Sequence, residues 1–314
     1  MSRIRYDRLP TERANPSTGK LDRLSAAQIA RLMNRADRRA VRAVGRAAPA
    51  LGRAVDLIVR ALSRRGRLIF VGAGTSGRLG VLEAAECPPT FDTPPSLVQA
   101  VIAGGKRTVF RSSEGAEDNG PDGARQIRRR VRPGDMVVGI AASGVTPFVR
   151  AALREARRRG AATALVTCNP DVPASAARVV IALAVGPEVL TGSTRLKAGT
   201  ATKLALNTLT TASFARLGKV YGNRMVDLRP RSAKLRARAL RLVRELGRVT
   251  PREAERLLKA SGASAKVAIA MARLGIDARE ARRRLKLAAG SLRHALSNKV
   301  GVRSYIHTLS ECKT

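Results

Sequence analysis

Arg67-Leu68-Ile69-Phe70-Val71-Gly72-Ala73-Gly74-Thr75-Ser76-Gly77-Arg78 passes from a short β-rich run directly into glycines and hydroxyls, and an apolar helical stretch follows. The same pattern returns at Met136-Val137-Val138-Gly139-Ile140, where Ala141-Ala142-Ser143-Gly144-Val145-Thr146-Pro147 leads into a helix rich in Ala and Arg. Strand, Gly/Ser/Thr loop and helix form the unit that points backbone N–H groups at an anion from the carboxyl end of a parallel sheet. Further strands are expected near 98–103, 162–167 and 179–184, beside those at 67–71 and 136–140. Alternation of strand and helix from Arg67 to about Leu217 predicts an α/β fold, a parallel sheet sandwiched by helices.

A third loop, Gly186-Pro187-Glu188-Val189-Leu190-Thr191-Gly192-Ser193-Thr194-Arg195-Leu196-Lys197, stands before a helix read from Lys197 to Leu217. Leu204, Leu206, Leu209 and Phe214 are its candidate buried positions. Its functional reading is a phosphate held at the helix mouth, with Lys197 as charge partner. Its structural reading is a polar cap with surface cations. Gly72, Gly74 and Gly77 superficially match a dinucleotide fingerprint. However, Val98 to Ala103 leads into Gly104-Gly105-Lys106-Arg107, with no acid placed to hold a ribose. The hydroxyls of Thr75, Ser76, Ser143 and Thr146 suit a phosphomonoester better than a pyrophosphate. Phosphate binding is therefore assigned to Thr75, Ser76 and Gly77 in the first loop and to Ser143, Gly144 and Thr146 in the second.

The chain divides by composition into a helical segment at 1–50, the α/β domain at 51–230, a small C-terminal helical module at 231–298 and a tail at 299–314. Ser25-Ala26-Ala27-Gln28 and Thr250-Pro251-Arg252-Glu253 read as capping boxes, the second with Pro at the first helical position. Three short helices are expected in the C-terminal module, broken at Ser261-Gly262-Ala263 and Gly275-Ile276-Asp277.

The three cysteines are widely spaced and the two histidines lack metal-ligand spacing, so neither a disulfide framework nor a metal site is expected. No apolar run is long enough to cross a membrane, and no signal-peptide core follows Met1. The expectation is a soluble, cytoplasmic chain without cofactor or metal. Lys and Arg number 60 against 23 Asp and Glu, a formal net charge of +37. Such a field attracts phosphates, including those of nucleic acid. Yet the arginines fall in short groups (128–130, 157–159, 282–284) that end expected helices, where cations complement the macrodipole. Aromatic residues are only 3% with no Trp, so platforms for stacking bases are missing. Solvated helix faces are the expected role, and no specific nucleic-acid partner is expected.

From Thr11-Glu12-Arg13-Ala14-Asn15-Pro16, through Gly72–Gly80 and Ala85-Glu86-Cys87-Pro88-Pro89-Thr90, the sequence resembles the N-acetylmuramic acid 6-phosphate etherases. These belong to the sugar isomerase (SIS) phosphosugar-binding superfamily. Glu114-Gly115-Ala116-Glu117-Asp118, the run at 186–200, and Gly218–Asn223 with Met225-Val226-Asp227 extend the likeness over nearly the whole chain. The run at 186–200 is shared with the glucokinase regulatory protein, a binder with two SIS domains. The resemblance implies a lyase that cleaves the lactyl ether at C3 of N-acetylmuramic acid 6-phosphate, giving N-acetylglucosamine 6-phosphate and D-lactate, and a homodimer. It places the catalytic acid on Glu86 and the base on Glu117. Elimination beside an aldehyde needs two carboxyl groups in opposite protonation states. Glu83 and Glu114, each three residues upstream, can raise their neighbours' pKa values. Val145 departs from the polar residue or arginine expected in the Ser-Gly-x-Thr-Pro run, which removes one expected substrate contact. The alternatives are a non-catalytic phosphosugar sensor, an aldose–ketose isomerase of the same superfamily, and a nucleic-acid binder.

Overall fold

Ser25 caps its helix in both directions. Its hydroxyl accepts the Gln28 amide at 3.3 Å, and the Gln28 side-chain oxygen accepts the Ser25 amide at 2.8 Å. This box opens α1 (Ala26–Arg46), and α2 (Ala48–Ser63) follows with a proline in its first turn. The structure is a computed structural model and describes residues 9–228, 230 and 232–297.

The chain then alternates through β1 (Leu68–Gly72), α3 (Gly74–Phe91), β2 (Val98–Ile102), α4 (Gly120–Arg130), β3 (Met136–Ile140), α5 (Pro147–Arg158), β4 (Ala162–Thr167), β5 (Val179–Ala182) and α6 (Lys197–Arg216). All five strands pair in parallel, in the order β2-β1-β3-β4-β5. Every residue of β1 and β3 is buried. That is why they read as uninterrupted apolar runs rather than alternating ones. On one face Ile69, Val71, Val137 and Leu165 form a core with Ile127 of α4 and Phe148, Val149 and Leu153 of α5. On the other, Gly80 brings α3 so near that a Cβ there would stand 3.0 Å from Cβ of Phe70. Of the candidate positions on α6, Leu206, Leu209 and Phe214 are buried and Leu204 half-buried.

The strand order reverses at β1. The connections leaving β1 and β3 therefore diverge, which opens a crevice at the carboxyl ends of the two strands. Register aligns those ends, with Gly72 beside both Ile102 and Ile140, and Ile140 beside Val166.

Over the described residues the chain resolves into two compact units, Met1–Glu86 with Pro94–Ser213, and Cys87–Thr93 with Phe214 onward. The sheet belongs to the first. In the second, Phe91 stacks on Phe214 with ring centroids 4.6 Å apart. A two-stranded antiparallel hairpin, β6 (Val220–Tyr221) and β7 (Arg224–Met225), turns at Gly222, whose φ is 58°. Helices α7 (Ala233–Gly247), α8 (Pro251–Ala260), α9 (Ala265–Leu274), α10 (Ala278–Leu287) and α11 (Leu292–Leu296) complete it. This corrects the expectation of three helices. α7 buries Ala239, Leu242 and Val243 on one side and carries its arginines on the other, so its apolar stripe is narrow. The breaks at 261–263 and 275–277 fall where expected, with Ala263 and Gly275 both at φ 64°.

The box at Thr250 forms only in its forward half. Thr250 accepts the Glu253 amide at 3.3 Å, but the Glu253 carboxylate pairs with Arg256 instead of returning to the cap. Arg128–Arg130 and Arg157–Arg158 close α4 and α5, whereas Arg282–Arg284 lie inside α10. The Lys266 ammonium is buried, donating to the carbonyls of Gly218 at 3.0 Å and Gly290 at 2.8 Å and to Asp227 at 2.7 Å. Asp227 is thus the counter-ion of an internal lysine. The tail at 299–314 lies outside the described residues.

Candidate active site

Gly72 ends β1, and only Ala73 separates it from α3. A Cβ on Gly72 would lie 2.7 Å from the Gly77 amide nitrogen, and one on Gly77 2.6 Å from Ile102 Cγ1. The Gly77 amide donates to the Ala73 carbonyl at 3.0 Å. Gly77, expected in the phosphate cradle, therefore serves the close approach of helix to strand. The amides of Gly74, Thr75 and Ser76 open α3, where a helix has no carbonyl of its own to offer. Thr75 and Ser76 are half-buried there.

The loop after β3 is braced from β4. Thr167 Oγ1 donates to the Ala142 carbonyl at 3.2 Å, and Asn169 Nδ2 to the Ser143 carbonyl at 3.1 Å. Gly144 has φ 75°, and a Cβ there would lie 2.2 Å from Val172 Cγ2, so the turn requires glycine. Ser143 Oγ accepts the Val145 amide at 3.3 Å, which leaves its proton to donate. Thr146 caps α5 without a side-chain bond into the helix. Two hydroxyl-bearing loops thus flank the crevice between β1 and β3.

The mouth of α6 is closed, contrary to the phosphate reading. Glu188, 1% exposed, accepts the Lys197 amide at 3.1 Å and the Ala198 amide at 2.8 Å. The next two amides go to Thr194 and Leu196 carbonyls at 2.9 Å each. A carboxylate of the protein itself occupies the place that the helix dipole prepares for an anion. Lys197 is fully buried, and its ammonium donates to the carbonyls of Val185, at 3.2 Å, and Pro187. Burial pulls its pKa down and Glu188 opposes that shift. Lys197 is therefore an internal brace rather than a substrate partner or a surface cation. Asn15, from the Thr11–Pro16 run, joins it, donating to the Pro187 carbonyl at 3.4 Å.

Glu86 lies inside α3, which runs on through Pro88 and Pro89 to Phe91. Both prolines lack an N–H, leaving the carbonyls one turn back without that partner. The Glu86 side chain is exposed. Glu117 lies in a 3-10 turn, Ala116–Asp118, after β2, with Gly115 at φ 71° before it. Its carboxyl is held above the usual carboxylate range, first by desolvation and then by Asp118 and Glu114. Glu114 thus acts as its position suggested. Ala116 anchors the turn against Gly104, where a Cβ would meet its own at 3.3 Å.

Glu83 emerges as more than a neighbour of Glu86. It is 6% exposed, accepts Asn207 Nδ2 at 2.6 Å and the Thr210 hydroxyl, and so fastens α3 to α6. Burial raises its pKa, and Glu86 adds to the rise. Asn207 and Thr210 stand three apart on α6, but among its other threonines, Lys203 and Ser213 they gave no distinct signal. Among the described residues no group of three or more His, Cys, Asp or Glu could hold a metal ion. No helix among them is long and apolar enough to cross a membrane.

The parallel sheet between helices and the sequence together mark an SIS-domain protein. The sequence matches the SIS domain over residues 119–212 and the glucokinase regulatory protein N-terminal SIS domain over residues 50–157. It is 50% identical to an N-acetylmuramic acid 6-phosphate etherase of Picosynechococcus sp., over 92% of this chain and 97% of the relative. It is 52% identical to one of Symbiobacterium thermophilum, over 87% and 91%. A solved phosphoheptose isomerase from Neisseria gonorrhoeae is similar with a TM-score of 0.42 and 20% identity, over 59% of this chain and 98% of that one. This chain belongs to the N-acetylmuramic acid 6-phosphate etherase family, and it is an enzyme.

Proposed function

We propose that the chain cleaves the lactyl ether of N-acetylmuramic acid 6-phosphate with water, giving N-acetylglucosamine 6-phosphate and D-lactate. The observation that carries this reading is the common edge. The first turn of α3 bearing Ser76, the turn bearing Glu117 and the loop bearing Ser143 and Thr146 follow strands whose carboxyl ends stand in one row, Gly72, Ile102 and Ile140.

The hydroxyls of Thr75, Ser76, Ser143 and Thr146 and the opening amides of α3 hold the phosphate. In the open-chain sugar, Glu117 removes the C2 proton, made acidic by the adjacent aldehyde. Glu86 protonates the ether oxygen as the C3–O bond breaks, and D-lactate leaves. Glu117 then releases that proton to solvent, takes one from the water whose oxygen adds to C3 of the unsaturated aldehyde, and returns it to C2, while Glu86 regains its proton from solvent. The raised pKa of Glu117 makes it a stronger base than an ordinary carboxylate. The same reading makes the chain a cytoplasmic homodimer that serves the recovery of cell-wall amino sugars.

The test is D-lactate release by purified protein beside its Glu86→Gln and Glu117→Gln variants. Wild type is expected to release lactate, and each variant to lose at least about a hundredfold in rate. Variants at wild-type rate would overturn the assigned roles. A folded wild type that holds the sugar phosphate without releasing lactate would instead make the chain a sensor.

A further inference from the structure

The sheet has a second edge. At its amino end the residues before β3 and at the start of β4, Gly134 and Ala162, help to line a cavity of about 600 Å³. Four arginines line it, all of them exposed: Arg60 and Arg64 from the end of α2, Arg157 from the last turn of α5, and Arg178 ahead of β5. Leu57 adds an apolar wall. Asp135 also lines it but is fully engaged. Its oxygens accept the Arg67 guanidinium at 2.6 Å, the Arg67 amide at 2.9 Å and the Arg132 amide at 2.8 Å. Among the described residues no carboxylate pairs with the four arginines.

Helix ends account for only part of this charge. Helices of a parallel sheet finish at its amino edge, where a C-terminus carries about −0.5 charge. α2 and α5 together offset about one of the four cations. About three positive charges at this hollow are then matched neither by a helix end nor, among the described residues, by a carboxylate, although Arg157 also donates to the Ser175 carbonyl at 2.8 Å.

We propose that this cavity is a binding site for a compact, multiply charged phosphate anion of diphosphate or nucleotide size, separate from the crevice at the carboxyl edge. Guanidinium forks match phosphate oxygens in pairs, and several of them favour an anion with more than one phosphate over a monoester. The volume, about 600 Å³, suits such a ligand.

Isothermal titration of the full chain with inorganic pyrophosphate and, separately, with magnesium-free ADP tests this. The variant is Arg64→Gln/Arg178→Gln. A control, Arg129→Gln/Arg279→Gln, removes the same charge from exposed helix faces elsewhere. Saturable one-to-one binding is expected in wild type and control, weakened at least about tenfold in the variant, the loss of one charge-assisted pair. Tighter binding of ADP than pyrophosphate would assign the apolar wall to an organic group, and equal binding would assign the site to the diphosphate alone. N-acetylglucosamine 6-phosphate should bind the variant as it binds wild type. Equal weakening in variant and control, or no saturable binding, would reduce the cavity to part of the general field and overturn the proposal. So would a short DNA duplex that outcompetes pyrophosphate with the same dependence on Arg64 and Arg178.

Discussion

Lys197 and Glu188 show how a helix that invites an anion can be satisfied from within. Replacing Lys197 with Met strands the Val185 carbonyl and takes one of two donors from Pro187, while removing a costly buried charge. Stability should fall by about 1–3 kcal/mol, seen as an earlier urea midpoint, with KM for the sugar phosphate unchanged in the folded enzyme. A large rise in KM at unchanged stability would restore Lys197 to the substrate. Glu117 makes a second prediction. Its pKa is raised, so as pH falls the base form is lost earlier than for an ordinary glutamate. The acid limb of kcat/KM should therefore lie above about 4.3, the unperturbed glutamate value, and move in Glu117→Asp. A limb at or below that value would detach Glu117 from proton abstraction.

At the scale of elements, α4 and α5 are joined by a missing side chain. A Cβ on Gly123 would lie 2.2 Å from the Phe148 carbonyl oxygen. Alanine improves an ordinary helix position by about 1 kcal/mol over glycine. Here a backbone clash in a packed helix pair costs about 1–3 kcal/mol, so Gly123→Ala should lower stability in urea titration rather than raise it. A variant as stable as wild type would mean that α5 yields readily. The strands and their loops were legible because burial on both faces leaves continuous apolar runs bounded by glycine. α7 was not, because arginines are interspersed with its apolar residues, of which Ala239, Leu242 and Val243 are buried and Leu235, Leu240 and Leu246 half-buried. The closure of α6 was equally hidden. Its anion is a glutamate in the preceding loop, and the acceptors for Lys197 are main-chain carbonyls that composition does not reveal. The positions of the Gly/Ser/Thr turns could be read, because each follows a continuous apolar strand. The pinning of Glu83 by Asn207 and Thr210 joins positions more than a hundred residues apart, which no local pattern reports.

For the whole molecule, a net charge of +37 is distributed by the logic of the fold. Arginines close α4 and α5, where helix dipoles end, and four collect around the amino-edge cavity. The carboxyl edge instead carries hydroxyls, the opening amides of α3 and, in the turn after β2, Glu117. The direct test of this division is a crystal structure of the full chain with N-acetylglucosamine 6-phosphate. Its phosphate is expected within ~3 Å of the hydroxyl oxygens of Ser76, Ser143 and Thr146, with Glu188 still seated on α6. A phosphate that displaces Glu188 from α6, or that lies among Arg60, Arg64, Arg157 and Arg178, would contradict it.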